Sequence, residues 1–118
     1  MRKVSYGSVT AFWLDRAEAV ERLRRAAERL VGAEPAVVAV YLFGSLADGR
    51  AVPGSDADIL VILRHSVDRW MDRSLPFAPY FADCGIGVEL FCYVEDEIPR
   101  VPLAVRARAT GMHLVGEP

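Results

Sequence analysis

Two apolar runs joined by a polar loop constrain the fold of this chain more than any other feature. Residues 36–43 read AVVAVYLF, and residues 56–63 read DADILVIL, which is apolar throughout after the second aspartate. Because neither run alternates between apolar and polar residues, both predict strands that are buried on both faces of a sheet. Carboxylates at the mouth of such a strand cost free energy unless they are paired, hydrated or bound to a metal ion. The two aspartates therefore predict a functional site at this end of the sheet.

The remaining patterns predict a small α/β (α+β) domain built around these two strands. Apolar residues at spacings of three and four predict a long amphipathic helix before the first strand, and prolines are expected to interrupt the later helices. The order of elements predicts a small mixed β-sheet with helices packed mainly on one side. The other predicted elements are a helix over 10–31, a helical turn over 45–48, a proline-broken helix over 66–83, a third strand over 87–94, a short broken helix over 95–110 and an edge strand over 112–115.

Length and charge restrict the classes of function. The chain has 118 residues, which predicts a single domain over residues 1–118. Its net charge of -2 argues against broad nucleic-acid binding, which requires a basic surface. No apolar run reaches the length of a membrane span or forms the core of a signal peptide, so we expect a cytoplasmic protein with no membrane partner. Cys84 and Cys92 are expected to stay reduced there, although their spacing alone leaves a disulfide open.

Three acidic residues are candidate metal ligands. Asp56 and Asp58 stand two apart in a strand, so both side chains project from one face and their carboxylates can reach the same ion. Glu89 is an acid within the otherwise apolar third strand, and it joins the aspartates if that strand pairs beside the second. Three such carboxylates suit a pair of Mg²⁺ ions, or of Mn²⁺ ions, which would stabilise the attacking and leaving oxygens of a displacement.

A glycine-serine turn is the candidate phosphate site. Gly44-Ser45 follows the first strand directly. Glycine lets the backbone approach a ligand closely, and the serine hydroxyl can donate a hydrogen bond to a phosphate oxygen. A helical turn that follows would point its free N–H groups at an anion. If the first two strands are neighbours, the turn faces the aspartates, and a phosphate site lies opposite a metal site.

Together these residues resemble a known signature. Gly44-Ser45, ten intervening residues and Asp56-Ala57-Asp58 resemble the GS-x10-DxD pattern of the nucleotidyltransferase superfamily that includes DNA polymerase beta. The short chain is similar to the minimal nucleotidyltransferase branch of that superfamily. The resemblance implies a nucleotidyltransferase fold and an enzyme that transfers a nucleoside monophosphate, AMP from ATP or its equivalent from another NTP, to a hydroxyl acceptor.

The resemblance also implies roles for individual residues. Gly44 and Ser45 would hold the β- and γ-phosphates of the nucleotide. Arg50 would add positive charge near them, since relatives often carry an arginine soon after the glycine-serine pair. The aspartate pair would bind the divalent ions. Glu89 would complete the triad, binding one ion and helping to deprotonate the acceptor.

A protein partner is a further implication of the resemblance. Small members of this branch are often encoded with a helical HEPN protein. The pair resembles a toxin–antitoxin system, in which the nucleotidyltransferase is the antitoxin and adenylylates a tyrosine of its partner. We therefore expect a hetero-oligomer, with a homodimer as the other assembly.

Two other functions stay open from the sequence. Glu89 stands where the family often has aspartate, and Asp48 places an acid near the expected triphosphate. Both features favour a catalytically weak or inactive binding module that neutralises or scaffolds a partner by contact, whereas the intact turn and aspartate pair favour the enzyme. The third function is transfer to a small molecule such as an aminoglycoside, against which the shortness of the chain argues.

Overall fold

Six strands and three helices make up the part of the chain that the structure describes. The computed structural model describes residues 15–51 and 55–117 with their side chains, and residues 2–6 and 9–13 by their backbone alone. The strands are β1 (Arg2–Tyr6), β2 (Val9–Trp13), β3 (Val37–Phe43), β4 (Ala57–Leu63), β5 (Val88–Val94) and β6 (Met112–Gly116), and the helices are α1 (Arg16–Ala33), α2 (Ser45–Asp48) and α3 (Pro102–Thr110).

The main sheet is mixed, and its strand order places β4 in the interior. The order is β5-β4-β3-β6, separate from the β1–β2 hairpin. β4 runs parallel to β5, whereas β3 runs antiparallel to both β4 and β6. Every residue of β4 except Asp58 is buried. The predicted small mixed sheet is confirmed, because strands that are apolar on both faces are covered on both faces.

Helices α1 and α3 cover opposite faces of this sheet. Leu23 and Leu30 of α1 have no exposed surface and lie in the same core cluster as Ile59 of β4. Burying a leucine in this way contributes about 1.5–3 kcal/mol. On the other face, α3 packs through Ala104 and Ala107, whose small side chains let the helix lie close to the strands. Leu46 of α2 and Phe81 of the 3₁₀ turn Ala78–Phe81 lie in the core cluster on the α1 face. The prediction of helices packed mainly on one side is therefore confirmed.

The first helix is shorter at its N-terminus than the sequence pattern predicts. It begins at Arg16 and ends at Ala33, whereas the prediction spanned residues 10–31. Residues 9–13 instead form β2, which pairs with β1. The segment VTAFW is rich in β-branched and aromatic residues that favour a strand, and Asp15 stands at the N-cap of the helix. Strand preference therefore overrides the apolar spacing in this segment.

The predicted helix over residues 66–83 is wrong. This stretch contains two short 3₁₀ turns, Trp70–Asp72 and Ala78–Phe81, and no α-helix. Pro76 and Pro79 have no backbone N–H to donate to a preceding turn, so a helix cannot continue through them. Phe77 and Phe81 of the stretch still reach the core, whereas Val67, Met71 and Leu75 are exposed.

The C-terminal elements follow the predictions more closely. Residues 95–110 contain a 3₁₀ turn, Ile98–Arg100, and then α3. Val101 between them is extended, because a proline disfavours the helical conformation in the residue before it. The predicted edge strand is β6, paired with β3.

Two observations concern the environment of the chain. No helix among the described residues combines the length and the apolarity that crossing a membrane requires. Cys84 and Cys92 are buried free thiols, as expected for reduced cysteines. Burial raises the pKa of Cys92 to about 12, so this thiol has little nucleophilic thiolate near neutral pH.

Candidate active site

The register of the sheet brings the candidate residues to one edge. β3 ends at Phe43, which pairs with Asp58 near the start of β4. Asp58 lies directly opposite Glu89 in the parallel β4–β5 pair. The chain turns at Gly44 immediately after Phe43, so Asp58 lies between this turn and Glu89. The prediction that the third strand pairs beside the second is confirmed.

The three carboxylates are close enough to repel one another. Asp58 is half-buried, whereas Asp56 and Glu89 are exposed. Burial raises the pKa of Asp58, and the negative charges of Glu89 and Asp56 raise it further. Among the residues that the structure describes, none donates a hydrogen bond to these three carboxylates or forms an ion pair with them. The cluster therefore holds negative charge that no described side chain neutralises.

Two glycines leave room beside the aspartates. Gly44 has φ 79° and ψ −157°, a backbone conformation that is essentially restricted to glycine. A Cβ atom at Gly44 would overlap Oδ2 of Asp58 and stand 3.3 Å from its Cγ. A Cβ atom at Gly87 would overlap Oδ1 of Asp56 in the same way. Gly87 was not predicted as a site residue, because only the pairing of β5 with β4 brings it beside Asp56.

The short helix α2 is held from two directions. Leu46 has no exposed surface and packs into the core on the α1 face. Arg16, at the start of α1, donates from Nε to the carbonyl of Leu46 and from Nη2 to the carbonyl of Ala47, each at 2.9 Å. Arg16 thereby ties α1 to the segment that follows Gly44. No sequence pattern points to this role, since Arg16 and Leu46 are 30 residues apart.

Loss of the Arg16 hydrogen bonds is expected to loosen this turn. We expect Arg16→Ala to lower the free energy of unfolding by about 1–2 kcal/mol, because two hydrogen bonds from a charged donor are lost. Urea unfolding followed by circular dichroism measures the change. The control is Arg25→Ala on the same helix. Among the described residues, Arg25 makes one exposed ion pair, with Glu21 at 3.1 Å, so its loss should change the free energy of unfolding by less than about 0.5 kcal/mol. Equal losses in the two variants would contradict the tethering role.

A cavity of ≈320 Å³ adjoins the Gly44 turn. It lies between the end of β3 and helix α3, and Gly44, which lines it, also borders Asp58 of the carboxylate cluster. Arg50, the predicted phosphate ligand, lines this cavity, but its Nη2 donates to Oδ2 of Asp48 at 2.7 Å. Arg106 of α3 lines the same cavity, although no sequence pattern pointed to it.

The donor chemistry of the cluster fits a hard divalent cation. Carboxylate oxygens are the ligands that Mg²⁺ and Mn²⁺ prefer, and a cation would relieve the repulsion that raises the pKa of Asp58. As the side chains stand, no three acidic, histidine or cysteine residues in the described part of the chain are close enough to share one ion. A shared ion would therefore require the exposed side chains of Asp56 and Glu89 to turn toward Asp58.

The raised pKa of Asp58 predicts a pH-dependent cost in stability. Because the folded chain holds the Asp58 proton more tightly than the unfolded chain, losing that proton as pH rises through the folded pKa destabilises the fold. Asp58→Asn is therefore expected to raise the free energy of unfolding at pH 7 by about 0.5–1 kcal/mol, a modest value because solvent screens a partly exposed group. The gain should shrink as pH falls toward the ordinary pKa of aspartate. Denaturant unfolding across this pH range measures it, and a gain independent of pH would contradict the charge argument.

Comparison with known proteins places this geometry in a family. A family model described as a nucleotidyltransferase domain matches residues 20–110. A comparison with curated protein sequences gave no match. A solved structure assigned as a nucleotidyltransferase from Sulfolobus solfataricus is 21% identical, with a TM-score of 0.63 over 83% of this chain and 80% of that chain. A mutant of the toxin–antitoxin pair MntA–HpeT is 19% identical, with a TM-score of 0.52 over 88% of this chain and 75% of that chain.

The family match includes the whole candidate site apart from Arg16. It spans the Gly44 turn, the three carboxylates and α3. The two solved structures share the fold at low sequence identity, so they support the architecture and nothing finer. The predicted nucleotidyltransferase fold and enzyme class are confirmed. With most of its length matched, the chain belongs to the nucleotidyltransferase domain family.

Proposed function

We propose that this protein is a Mg²⁺-dependent nucleotidyltransferase that moves AMP from ATP to an acceptor hydroxyl and releases pyrophosphate. One observation carries the proposal. In a chain of the nucleotidyltransferase family, Asp58 lies between Glu89 and the Gly44 turn at one edge of the sheet. Members of this family generally use divalent metal ions, and the carboxylate cluster offers them oxygen ligands.

The carboxylates would supply negative charge and a proton acceptor. Asp56, Asp58 and Glu89 would hold two ions, Mg²⁺ or Mn²⁺, which when bound neutralise charge on the attacking and leaving oxygens. Glu89 is exposed and can accept the proton of the acceptor hydroxyl. The hydroxyl oxygen forms a bond to the α-phosphorus while the bond from that phosphorus to the bridging oxygen breaks, and pyrophosphate leaves with the electron pair.

The Gly44 turn would position the leaving group. Because Gly44 has no side chain, phosphate oxygens can approach its backbone beside Asp58. Ser45 is half-buried at the start of α2, and its hydroxyl can donate to a β- or γ-phosphate oxygen. Holding the triphosphate in this way directs the α-phosphorus toward the carboxylates, so catalysis rests on positioning and charge neutralisation.

The acceptor we propose is a tyrosine of a HEPN-type helical partner, which makes this chain the antitoxin of a toxin–antitoxin pair in the cytoplasm. The fold shared with MntA–HpeT, a toxin–antitoxin pair, supports this choice. Val67, Met71 and Leu75 also expose apolar side chains, which suit contact with another protein. A hetero-oligomer is the assembly that this reaction requires, and a homodimer is the alternative.

A second candidate is a binding module that neutralises a partner by contact without catalysis. Two observations favour it. The acidic side chains of the described residues do not converge on a single ion position. The charge of Arg50, the expected phosphate ligand, is already offset by Asp48. The two candidates predict different outcomes when ATP is added with a divalent ion.

Calorimetric titration with ATP, with and without Mg²⁺, separates the two candidates. The enzyme predicts Mg²⁺-dependent binding that Asp58→Asn removes. Incubation with ATP, Mg²⁺ and the co-encoded helical protein should then add the mass of AMP to a tyrosine of that protein. Binding of the partner without nucleotide binding or AMP transfer would support the contact-only module and reject the enzyme.

A further inference from the structure

The cavity beside the Gly44 turn carries an unbalanced positive charge. Its charged lining residues are Asp48, Arg50 and Arg106. Arg50 and Asp48 form an ion pair at 2.7 Å, so their charges offset each other. Arg106 is exposed, and among the described residues no group accepts a hydrogen bond from its guanidinium or pairs with its charge. The guanidinium of Arg106 is therefore the available cation of this cavity.

The cavity and the carboxylate cluster adjoin each other at Gly44. Gly44 lines the cavity that holds Arg106 and also borders Asp58. The described charges of the cavity are positive in sum, whereas those of the cluster are negative. A nucleoside triphosphate with its α-phosphorus near the carboxylates would place its terminal phosphates toward the cavity.

We propose that Arg106, and not Arg50, binds the terminal phosphates of the nucleotide. The inference rests on the proposed function, since it requires a nucleoside triphosphate at the Gly44 turn. The planar guanidinium of arginine binds two phosphate oxygens at once. Arg106 can do so without losing an existing partner, whereas Arg50 would first have to leave Asp48. Arg106 thus holds the pyrophosphate part of the nucleotide as the bond to the α-phosphorus breaks.

Titration of the full chain with ATP and with AMP, both in the presence of Mg²⁺, tests this assignment. Arg106→Ala is expected to weaken ATP binding by about tenfold to a hundredfold, the range for losing a charged hydrogen-bond donor. Its affinity for AMP, which lacks the terminal phosphates, should not change. Arg106→Lys keeps the charge but loses the planar fork, so an intermediate ATP affinity is expected. The matched control from the same cavity is the double variant Asp48→Ala/Arg50→Ala, which removes the ion pair without changing the net charge of the cavity and should weaken ATP binding by less than about threefold.

Each outcome decides the assignment. Unchanged ATP affinity in Arg106→Ala, or a larger loss in the double variant Asp48→Ala/Arg50→Ala, overturns the inference and leaves the proposed function standing, because the native chain still binds ATP. A native chain that binds no ATP with Mg²⁺ overturns both. Equal melting temperatures of the native chain and the variants without nucleotide show that the affinities compare folded proteins, and the exposure of Arg106 makes that result the expected one.

Discussion

Asp58→Asn is expected to lower the rate of nucleotidyl transfer by about a hundredfold to a thousandfold, the range for removing one group that stabilises transition-state charge. Asp58 lies between Glu89 and the Gly44 turn, so this substitution removes the central charge of the cluster while keeping the size of the side chain. Pyrophosphate release at one fixed concentration of ATP, Mg²⁺ and the acceptor protein measures the rate for both chains. Because the same variant is expected to be more stable than the native chain at pH 7, a lost fold cannot account for the lost activity.

An exposed aspartate on the same chain is the control for this result. Asp96 follows β5 at the end of the sheet away from the cluster, and among the described residues it has no ion-pair partner. Asp96→Asn makes the same chemical change and should leave the transfer rate within about twofold of the native value. A transfer rate for Asp58→Asn close to that of Asp96→Asn would reject the carboxylate cluster as the active site.

Gly44→Ala is expected to damage both the fold and the site. The φ of 79° and ψ of −157° at Gly44 are strained for any residue with a Cβ atom, and the new methyl group would displace the Asp58 carboxylate. We expect the free energy of unfolding to fall by about 3 kcal/mol and Mg²⁺-dependent ATP binding to be lost. Urea unfolding and calorimetric titration measure the two effects.

Gly49 provides a matched control at the other end of α2. Gly49 also has a positive φ, 77°, but its ψ of 15° lies in the left-handed region, and a Cβ atom there would meet nothing within 4 Å. Gly49→Ala should therefore cost only about 1 kcal/mol, the strain of the left-handed conformation, and leave ATP binding intact. If both variants bound ATP as the native chain does, close approach at Gly44 would not be needed for binding.

The central sheet and most of the carboxylate site were predictable because burial and register leave little freedom. A strand that is apolar on both faces is stable only where other parts of the fold cover both faces. This predicts the burial of β3 and β4 that the structure shows. Glu89 is an acid in the otherwise apolar third strand, and the pairing of β5 with β4 brings it opposite Asp58, as expected if those two strands are neighbours. The roles of these residues stay predictions until the experiments above are done.

The residues that support the site could not be predicted, because their contacts join distant parts of the chain. Arg16 reaches α2 across 30 residues, and Arg106 reaches the cavity only because α3 packs beside the end of β3. An exposed arginine on a helix has the same local pattern whether it contacts solvent or a neighbouring segment.

The wrong helix over residues 66–83 has a different cause. The prolines removed helical hydrogen bonds, and the segment with two short 3₁₀ turns that formed instead buries Phe81 but leaves Met71 and Leu75 exposed.

The parallel pairing of β4 with β5 has a consequence for how this chain folds. Antiparallel β3 and β4 are joined by one loop, whereas Glu89 reaches Asp58 only after the long crossover between β4 and β5 has closed. Closing such a connection is entropically slow, so β5 is expected to dock late. While this connection is closing, Asp58 and Glu89 have not reached their native separation, so their repulsion acts mostly after this rate-limiting step. It shortens the lifetime of the folded chain without delaying its formation, and a bound divalent cation would lengthen that lifetime.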